Sequence, residues 1–461
     1  MAELDSTDRS ELDSKDRAEL IFLILEQRRM IEQLRKQVDE LRRGGRRQAA
    51  PFSKGRRVDN PKRPGRKPGK GLFSRRSAPF QPPLEIVLAA VPSCCPDCGG
   101  GLEHQGEEIA TTTELPRNPQ PVITQYRVPV CRCRRCGKSV RGRAAGLAPD
   151  QTGATAHRVG PGVMAAAHAL HYGMGIPVRK VPGVLEELTG MRITQSALTQ
   201  DALRRAAGMV GETYQNLRAG VCQAAAVHTD DTGWRVGGEN AFLMGFDTDE
   251  ATVYQIRRQH RSEEVRELIP AGYSGVMVTD RGKSYDAEEF AGVAQQKCLA
   301  HLLRNVSEVL ESKQGRAREF GERLKTLLRE GLSLWRDRCD LTPQEFCRRA
   351  NELDERMSGH LRIRILRDDD NQRLLDGIGL QHDRGHLLRF LGTEGVEPTN
   401  NRAERILRPA VIARKVSHCS KNESGAHAFA AFASVVQTIR KKAQETVAQG
   451  LLNVFGQPQT R

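Results

Sequence analysis

Three acidic residues stand where carboxylates could share a divalent cation. One is Asp230 or Asp231, which ends the first of five predicted strands, and another is Asp280, which ends the fourth. The third acid is Glu404, in the basic stretch EPTNNRAERILRPAVIARKVS at 397–417. Carboxylates that meet repel each other unless a cation neutralises them, and oxygen ligands of this kind suit Mg²⁺ or Mn²⁺. We predict such a site, which can activate an attacking oxygen in phosphodiester chemistry.

The stretch around Glu404 is predicted to form a helix that is otherwise basic. Asn400 or Asn401 can cap this helix, so that Glu404 falls in its early turns, where the helix dipole favours an anion. By itself Glu404 could equally be an exposed residue paired with Arg408, and only the two strand-end acids favour the catalytic interpretation. Several polar or basic side chains of this helix are expected to meet DNA phosphates: Asn401, Arg402, Arg405, Arg408, Arg414 and Lys415.

Two cysteine pairs have the spacing of zinc ligands. Cys95 and Cys98 form one pair and Cys133 and Cys136 the other, each followed by a glycine that permits a tight turn. Four thiolates in two such turns match a tetrahedral structural Zn²⁺ site, and the strand-like segment at 111–130 between them suits a zinc ribbon. Cys94 and Cys131 lie nearby but do not give both turns the same spacing.

The elements that must position the acids begin near residue 222. Three consecutive predicted strands are followed by a fourth and by a fifth that leads into a helix, which is the order of a ribonuclease-H-like α/β core. Asp280 and Glu404 are much further apart in sequence than one strand and one helix require, and residues 306–392 are charged and helix-prone. We therefore predict an α-helical insertion within the core.

The N-terminal part of the chain is predicted to be elongated and basic. Gly44 and Gly45 are expected to end a helix with a heptad pattern, which favours a parallel two-stranded coiled coil over a helix packed on its own body. A Gly/Pro-rich linker follows, and residues 42–76 hold fourteen Lys or Arg against one acid, in a chain whose net charge is +15. The heptad positions are Leu20, Ile24, Gln27, Ile31, Leu34, Val38 and Leu41.

Such a concentrated basic segment favours a polyanionic partner, with DNA ahead of an anionic membrane. The proline-rich run of the linker is expected to contact DNA in an extended form, rather than act as a solvated tether. The linker residues predicted to bind DNA are Arg63, Arg66, Lys67 and Lys70.

Residues 155–218 are predicted to be helical, with a break at TGMRITQSAL. Gly190 can end one helix and Thr194 can cap the next, an arrangement that is compatible with a helix-turn-helix that binds DNA and equally with a plain helical subdomain. The full set of predicted segments is a coiled coil at 18–43, a basic linker at 44–83, a zinc ribbon at 84–146, the helical segment at 155–218, the catalytic core at 220–440 with its insertion at 306–392, and a tail at 441–461.

The N-terminal sequence argues against export or a membrane anchor. It has no cationic segment ahead of an apolar run, and LIFLIL at 20–25 is far shorter than the roughly 20 residues that span a bilayer. We expect a cytoplasmic protein associated with the nucleoid and no membrane partner. In that compartment eleven cysteines indicate metal ligands or buried thiols rather than disulfides.

Four motifs together resemble the insertion sequence 66 family of bacterial DDE transposases: HTDDTGW, VTDRGKSY, QQKCLAHLLRNV and PTNNRAERILRP. The order of segments is similar from about residue 18 to residue 440. The resemblance implies that Asp230, rather than Asp231, is catalytic and that it shares this role with Asp280 and Glu404. Leu299 stands where the family usually has Trp, and RGKSY follows Asp280 where the family usually has Gly-Tyr, but neither departure removes a carboxylate.

The resemblance further implies a transposase that binds the ends of its insertion sequence and carries out metal-dependent strand cleavage and strand transfer. Its expected partners are double-stranded DNA at the element ends and target, a second or further copy of the chain through the coiled coil, and accessory proteins of the same element. Two alternatives are a DNA-binding regulator without catalysis and a nuclease of the same fold that cuts without joining. A regulator would not require acids on two strands and a helix.

Overall fold

The structure is a computed structural model that describes residues 16–47, 86–90, 92–103, 109–110, 121–144, 146–148, 150–153 and 156–456. Most of the predicted basic linker, with Arg63, Arg66, Lys67 and Lys70, lies outside these ranges. Below, the zinc module means the described residues of 92–144, and the body means residues 156–456.

The described helices alternate with two sets of strands along the chain. The strands are β1 (Val130–Arg132), β2 (Ser139–Arg141), β3 (Ala226–Val236), β4 (Glu239–Asp247), β5 (Thr252–Arg257), β6 (Val276–Thr279) and β7 (Ala294–Lys297). The α-helices are α1 (Arg17–Arg47), α2 (Pro161–His168), α3 (Val181–Thr189), α4 (Gln195–Ala206), α5 (Met209–Val221), α6 (Ser262–Arg266), α7 (Leu299–Glu311), α8 (Glu319–Arg336), α9 (Pro343–Leu361), α10 (Asp369–Asp383), α11 (Arg389–Gly392), α12 (Asn401–Ser417), α13 (Glu423–Lys442) and α14 (Val447–Gly456).

Helix α1 begins at Arg17 and continues to Arg47, so the prediction that Gly44 and Gly45 end it is wrong. Glycine costs about 1 kcal/mol in a helix interior relative to alanine, which weakens a helix without forbidding it. Three of the heptad positions, Ile24, Ile31 and Leu34, are 52%, 50% and 54% exposed. No helix among the described residues is long and apolar enough to cross a membrane.

The body is built on a five-stranded mixed sheet in the order β5-β4-β3-β6-β7. β3, β4 and β5 form an antiparallel meander, and β6 and β7 continue the sheet in parallel with β3. All five strands predicted from the sequence are present, and the mixed α/β class is confirmed.

Helices cover both faces of this sheet, as its alternating buried side chains require. One core joins Met244 and Phe246 to helices α2–α5, α13 and α14, so the predicted helical segment shares its core with the sheet. The other face packs against α12 through residues such as Leu243 and Leu407.

Helix α13 closes the free edge of β5. The backbone amides of Tyr254 and Thr252 donate to the hydroxyl oxygens of Ser434 (2.8 Å) and Thr438 (3.1 Å). Hydroxyl groups therefore replace the missing neighbour strand, which protects an edge that would otherwise pair with another chain.

Between β7 and α12 the chain forms helices and loops, and the structure describes this whole stretch without a strand. Helices α7–α10 share a hydrophobic core with Val276 and Val278 of β6. The stretch therefore packs on the same side of the sheet as α7 and adds a helical layer beside the strand that ends at Asp280.

Helices α3 and α4 meet at the predicted break. Gly190 ends α3 in the left-handed conformation (φ 67°), and the Thr194 hydroxyl accepts a hydrogen bond from the Ala197 amide at the start of α4. Both features were predicted from the sequence. α4 buries Leu198 and Ala202 in the body and leaves Gln200 and Arg204 exposed.

Candidate active site

The register of the sheet brings two of the predicted acids together. β3 and β6 pair in parallel from Ala226↔Val276 to His228↔Val278, and the same offset continued by two residues places Asp230 beside Asp280. Each carboxylate accepts a hydrogen bond from a nearby backbone amide: Asp230 from Asp231 N at 2.9 Å and Asp280 from Gly282 N at 2.8 Å.

The environment of Asp230 raises its pKa. Burial, followed by the negative charges of Asp280 and Asp231, raises the pKa of Asp230 to about 7. Such a shift is typical of carboxylates that share a site, and either a proton or a cation relieves it.

Helix α12 lies over the sheet face that carries Asp230. Gly245, the register partner of Asp230 on β4, lies under this helix, because a Cβ atom there would lie 2.9 Å from Ile406 Cδ1 and 3.2 Å from Leu407 Cδ2. A larger residue at 245 would require the ends of these two side chains to shift. Glu404 is in the first turn of α12, as predicted.

The side chain of Asn400 does not cap α12, contrary to one of the two predicted alternatives, although Asn400 is the N-cap residue by position. Its amide group instead donates to the Thr229 carbonyl oxygen at 2.7 Å, and its backbone N–H donates to Cys298 Sγ at 3.1 Å. Asn400 thus ties the start of α12 to β3 and to the end of β7.

His301 lies beside Glu404 and was absent from the predicted site. Its Nε2 atom lies 3.7 Å from Glu404 Oε1. The neighbouring Cys298 sulfur, with smaller contributions from Asp280 and Asp230, raises the pKa of His301. The only signal in the sequence was its place in the CLAH motif, three residues after Cys298.

A cleft of 240 Å³ opens beside Asp280. Its wall is one face of α7, which presents His301 together with a cation, an amide and an acid. The lining residues are Asp280, Arg281, His301, Arg304, Asn305 and Glu308.

The donor set fits a hard divalent cation, since it consists of carboxylate oxygens, including those of Asp230, whose pKa is raised. Among the described residues, however, no three His, Cys, Asp or Glu side chains are grouped so that they could hold one metal ion. Asp230 and Asp280 lie in register on neighbouring strands, and His301, which lines the same cleft as Asp280, is 3.7 Å from Glu404.

The predicted DNA-binding residues of α12 divide into two groups. Arg402 is 3.1 Å from Asp247 and 2.7 Å from Asp249, and Arg414 donates to Thr232 and Gly233 on β3, so both hold the helix against the sheet. The remaining residues lie exposed along one stripe of the helix: Asn401, Arg405, Arg408 and Lys415.

Each cysteine pair of the zinc module forms the same backbone turn. Cys95 N donates to Gly100 O (2.9 Å) and Gly99 N to Cys95 O (2.8 Å). The second turn repeats this with Cys133, Gly137 and Lys138 at 2.8 and 2.9 Å, and both Gly99 and Gly137 have a φ of 72°. Only glycine adopts this conformation readily, so the sequence spacing predicted both turns.

The same turns prepare the thiols for a metal. Backbone hydrogen bonds from Cys98 and Asp97 lower the pKa of Cys95, and those from Cys136 and Arg135 lower the pKa of Cys133. A lowered pKa favours the thiolate, the form that binds zinc.

The strand predicted at 111–130 is wrong where the structure describes it. Residues 121–129 are irregular, and the strand begins only at Val130 and pairs with β2 across the second turn. Pro121 and Pro129 lack the amide hydrogen that a strand ladder needs.

Comparison with known families agrees with these features. Residues 157–428, more than half of the chain, match the family described as Transposase IS66 family. The chain belongs to this family. Residues 92–137 match the zinc-finger binding domain of transposase IS66, which spans both cysteine turns.

Family membership makes the chain a DNA transposase whose zinc finger binds DNA. It also implies a divalent metal in the transposase domain and zinc in the finger. A protein of Sinorhizobium fredii described as the uncharacterized protein y4hP is 25% identical over 433 residues, which cover 82% of this chain and 71% of that protein.

Proposed function

We propose that this IS66-family transposase binds the ends of its insertion sequence and catalyses metal-dependent cleavage and joining of DNA strands. Asp230, Asp280 and Glu404 are the proposed catalytic and metal-binding residues. The observation that supports this most is the β3–β6 register. Continued by two residues, it aligns Asp230 within β3 with Asp280 directly after β6, under the helix that carries Glu404.

The sheet order and directions support a ribonuclease-H-like core, in which an antiparallel meander is extended by two parallel strands. The proposed core is residues 220–440, with residues 306–392 as a helical insertion and residues 441–461 as a tail. Its proposed cation is Mg²⁺ or Mn²⁺, which when bound polarises phosphate oxygen and stabilises charge on the attacking and leaving oxygens.

The residues of the chain itself have distinct proposed tasks. Asp230 and Asp280 are oriented by backbone amides, so that their free oxygens can turn to a shared ligand. Arg405, Arg408 and Lys415 of α12 and Arg304 of α7 are exposed cations on the two helices beside these acids, placed to meet phosphates. Cleavage by water and joining by a 3′ hydroxyl are both displacements at phosphorus, so one site can serve both.

The zinc module and the N-terminal segments are proposed to bind and pair the DNA ends. Cys95, Cys98, Cys133 and Cys136 would hold structural Zn²⁺ in a ribbon at 84–146, and residues 44–83, with Arg63, Arg66, Lys67 and Lys70, would contact phosphates. α4 exposes a polar face that supports a role for residues 155–218 in DNA binding. The exposed apolar residues of α1 support a coiled coil at 18–43 that pairs two chains.

The test is incubation of the purified protein with linear DNA that carries the inverted repeats flanking its own gene, with Mg²⁺ or Mn²⁺, followed by mapping of nicked and joined products. Asp280→Ala should abolish both products while binding persists. The matched control is Asp369→Ala, which removes an exposed acid of the insertion and should leave the products unchanged. Cleavage without joining would identify a nuclease, and binding without cleavage a regulator.

A further inference from the structure

The hydrogen-bonded pairing of β3 with β6, which aligns Asp230 and Asp280, stops before it reaches them. Pairing between β3 and β6 ends at His228↔Val278, two residues before Asp230 and Asp280. β3 continues alongside β4 to Val236, whereas β6 ends at Thr279 and the chain enters a loop. Interactions other than the strand pairing must therefore fix the separation of the two carboxylates.

Three side chains span this gap. Asp231 Oδ1 lies 3.0 Å from His260 Nδ1, and His260 Nε2 lies 3.2 Å from Ser284 Oγ. Asp231 directly follows Asp230 on β3, while Ser284 is in the loop that starts at Asp280. We call this set of contacts the Asp231–His260–Ser284 bridge.

The bridge is enclosed on the sheet face opposite α12. The side chains of His260 and Asp231 are 8% and 10% exposed. The His260 ring contacts Tyr285 edge-on at 5.5 Å and Phe242 at 5.9 Å between centroids. Two aromatic neighbours and two polar partners hold the His260 ring in one orientation. The ring therefore fixes the position of the loop relative to β3.

The bridge also separates the roles of the two adjacent aspartates. Asp230 faces α12, since its register partner Gly245 contacts Ile406 and Leu407. Asp231 has its own partner on the other face, and a buried carboxylate without one would be costly. Its carboxylate is therefore occupied by His260 and not free to join Asp230 and Asp280 around a ligand.

We propose that the Asp231–His260–Ser284 bridge sets the separation of Asp230 and Asp280, which makes His260 and Ser284 positioning residues for the cation site. This inference rests on the proposed function. Residues that orient metal ligands typically change metal affinity by about 10- to 100-fold when they are removed, so the bridge acts first on cation affinity and only through it on cleavage.

The decisive variant is Ser284→Ala, which opens one end of the bridge without leaving a buried charge unpaired. Calorimetric titration of the full-length protein with Mn²⁺ should show affinity weakened by about 10-fold, with unchanged melting temperature without metal and unchanged DNA binding. Ser262→Ala is the matched control, because it removes a hydroxyl from a neighbouring segment that contacts Glu289 and not the bridge.

His260→Leu should weaken Mn²⁺ binding at least as much, and His260→Asn, which keeps a donor near the position of Nδ1, should restore part of it. The double variant His260→Leu/Ser284→Ala should be no weaker than His260→Leu alone, because both changes open the same bridge. Cleavage at saturating Mn²⁺ should recover in Ser284→Ala.

Wild-type Mn²⁺ affinity in Ser284→Ala, or effects that add in the double variant, would overturn the bridge while leaving the proposed site intact. The site itself is checked separately by Asp280→Ala, which should not bind Mn²⁺ there. Absence of Mn²⁺ binding by the wild-type protein would overturn the proposed cation site and the bridge together.

Discussion

In the body, Asp230 lies within β3 and Asp280 directly follows β6, between packed layers, whereas the four predicted zinc ligands of the zinc module lie on surface turns. The acids are brought together by a register between strands 50 residues apart. Cys98 and Cys136 are exposed, and Cys95 and Cys133 are half-buried, with each pair shaped by hydrogen bonds within six residues.

The two regions therefore differ in whether folding alone brings the proposed metal ligands together before a metal binds. Packing of the body buries Asp230, and this burial, followed by the negative charges of Asp280 and Asp231, leaves the pKa of Asp230 raised. The zinc module shapes each pair locally, but the structure does not group three of its described cysteines at one point. We therefore expect the cation to relieve strain in the body, and zinc to supply folding energy in the module.

The largest expected effect distinguishes the two adjacent aspartates in the body. Asp230→Ala should lower strand cleavage by about 10³-fold, since loss of a cation ligand removes several kcal/mol of transition-state stabilisation. Asp231→Ala should cost about 10-fold, as expected for a residue that orients a ligand. Rates from single-turnover cleavage of end DNA compare the two, and the reverse order would mean that the wrong aspartate has been assigned to the site.

The zinc module should respond to single cysteine changes in a different way. Cys95→Ser should release zinc and weaken binding to specific ends by about 10- to 100-fold, while unfolding of the body stays at its wild-type temperature. Cys94→Ser should change neither zinc content nor binding. Elemental analysis and gel shifts measure both, and a zinc-free wild-type protein purified without chelator would contradict the assignment.

The raised pKa of Asp230 predicts a pH-dependent cost of folding. The folded protein retains this proton up to about pH 7, whereas the unfolded chain releases it near pH 4, so stability falls as pH rises between these values. Well above pH 7, Asp230→Asn should therefore stabilise the metal-free protein by on the order of 4 kcal/mol, and the gain should vanish near pH 4.

Thermal unfolding of wild-type and Asp230→Asn protein at several pH values measures this effect. At pH 8, addition of Mn²⁺ should stabilise only the wild-type protein and so remove the stability advantage of Asp230→Asn. An equal gain at both ends of the pH range would show that folding does not raise the pKa of Asp230.

The smallest expected effects concern the N-terminal segments. Deletion of residues 1–43 should leave the body folded and binding to a single DNA end only slightly weaker. Paired-end complexes should decrease, because two chains joined at α1 hold both ends at a high effective concentration. Light scattering and gel shifts check this, and a monomeric full-length protein would contradict it.

Removal of residues 44–76 as well should flatten the salt dependence of DNA binding. The slope of log affinity against log salt should fall by about one unit for each phosphate that the linker no longer neutralises. Gel shifts at several salt concentrations compare the two truncations, and an unchanged slope would exclude the linker as a phosphate-binding segment.

The five strands could be predicted because alternating apolar residues reveal a strand. The prediction that the first strand ends at Asp230 or Asp231 was wrong, since β3 continues to Val236 beside β4, whereas Asp280 does directly follow β6. The two cysteine turns could also be predicted from the sequence, since the hydrogen bonds that form them are local. The choice between Asp230 and Asp231 required the resemblance, because strand alternation identifies opposite faces but not which face meets α12.

His260 and His301 could not be found in this way. His260 meets partners 29 residues before it and 24 after it, and nothing in the spacing marks that convergence. Asn400 was one of two residues expected to cap α12, but its side-chain NH2 group donates to the Thr229 carbonyl oxygen on β3 and its side chain makes no capping hydrogen bond. For His260 and for Asn400 alike, contacts with residues distant in sequence determine where the side chain lies.

The helical stretch between β7 and α12 has a consequence for the order of synthesis. Asn400 bonds to a strand residue 171 positions earlier, and Ser434 closes the edge of β5 180 positions after Tyr254. At about 5–20 residues per second on the ribosome, β3 waits roughly 10 to 30 s for the helix that completes its site. Meanwhile α7–α10 can pack on one another around their shared core. A nascent chain halted within that stretch would carry two of the three proposed catalytic acids and leave DNA uncut.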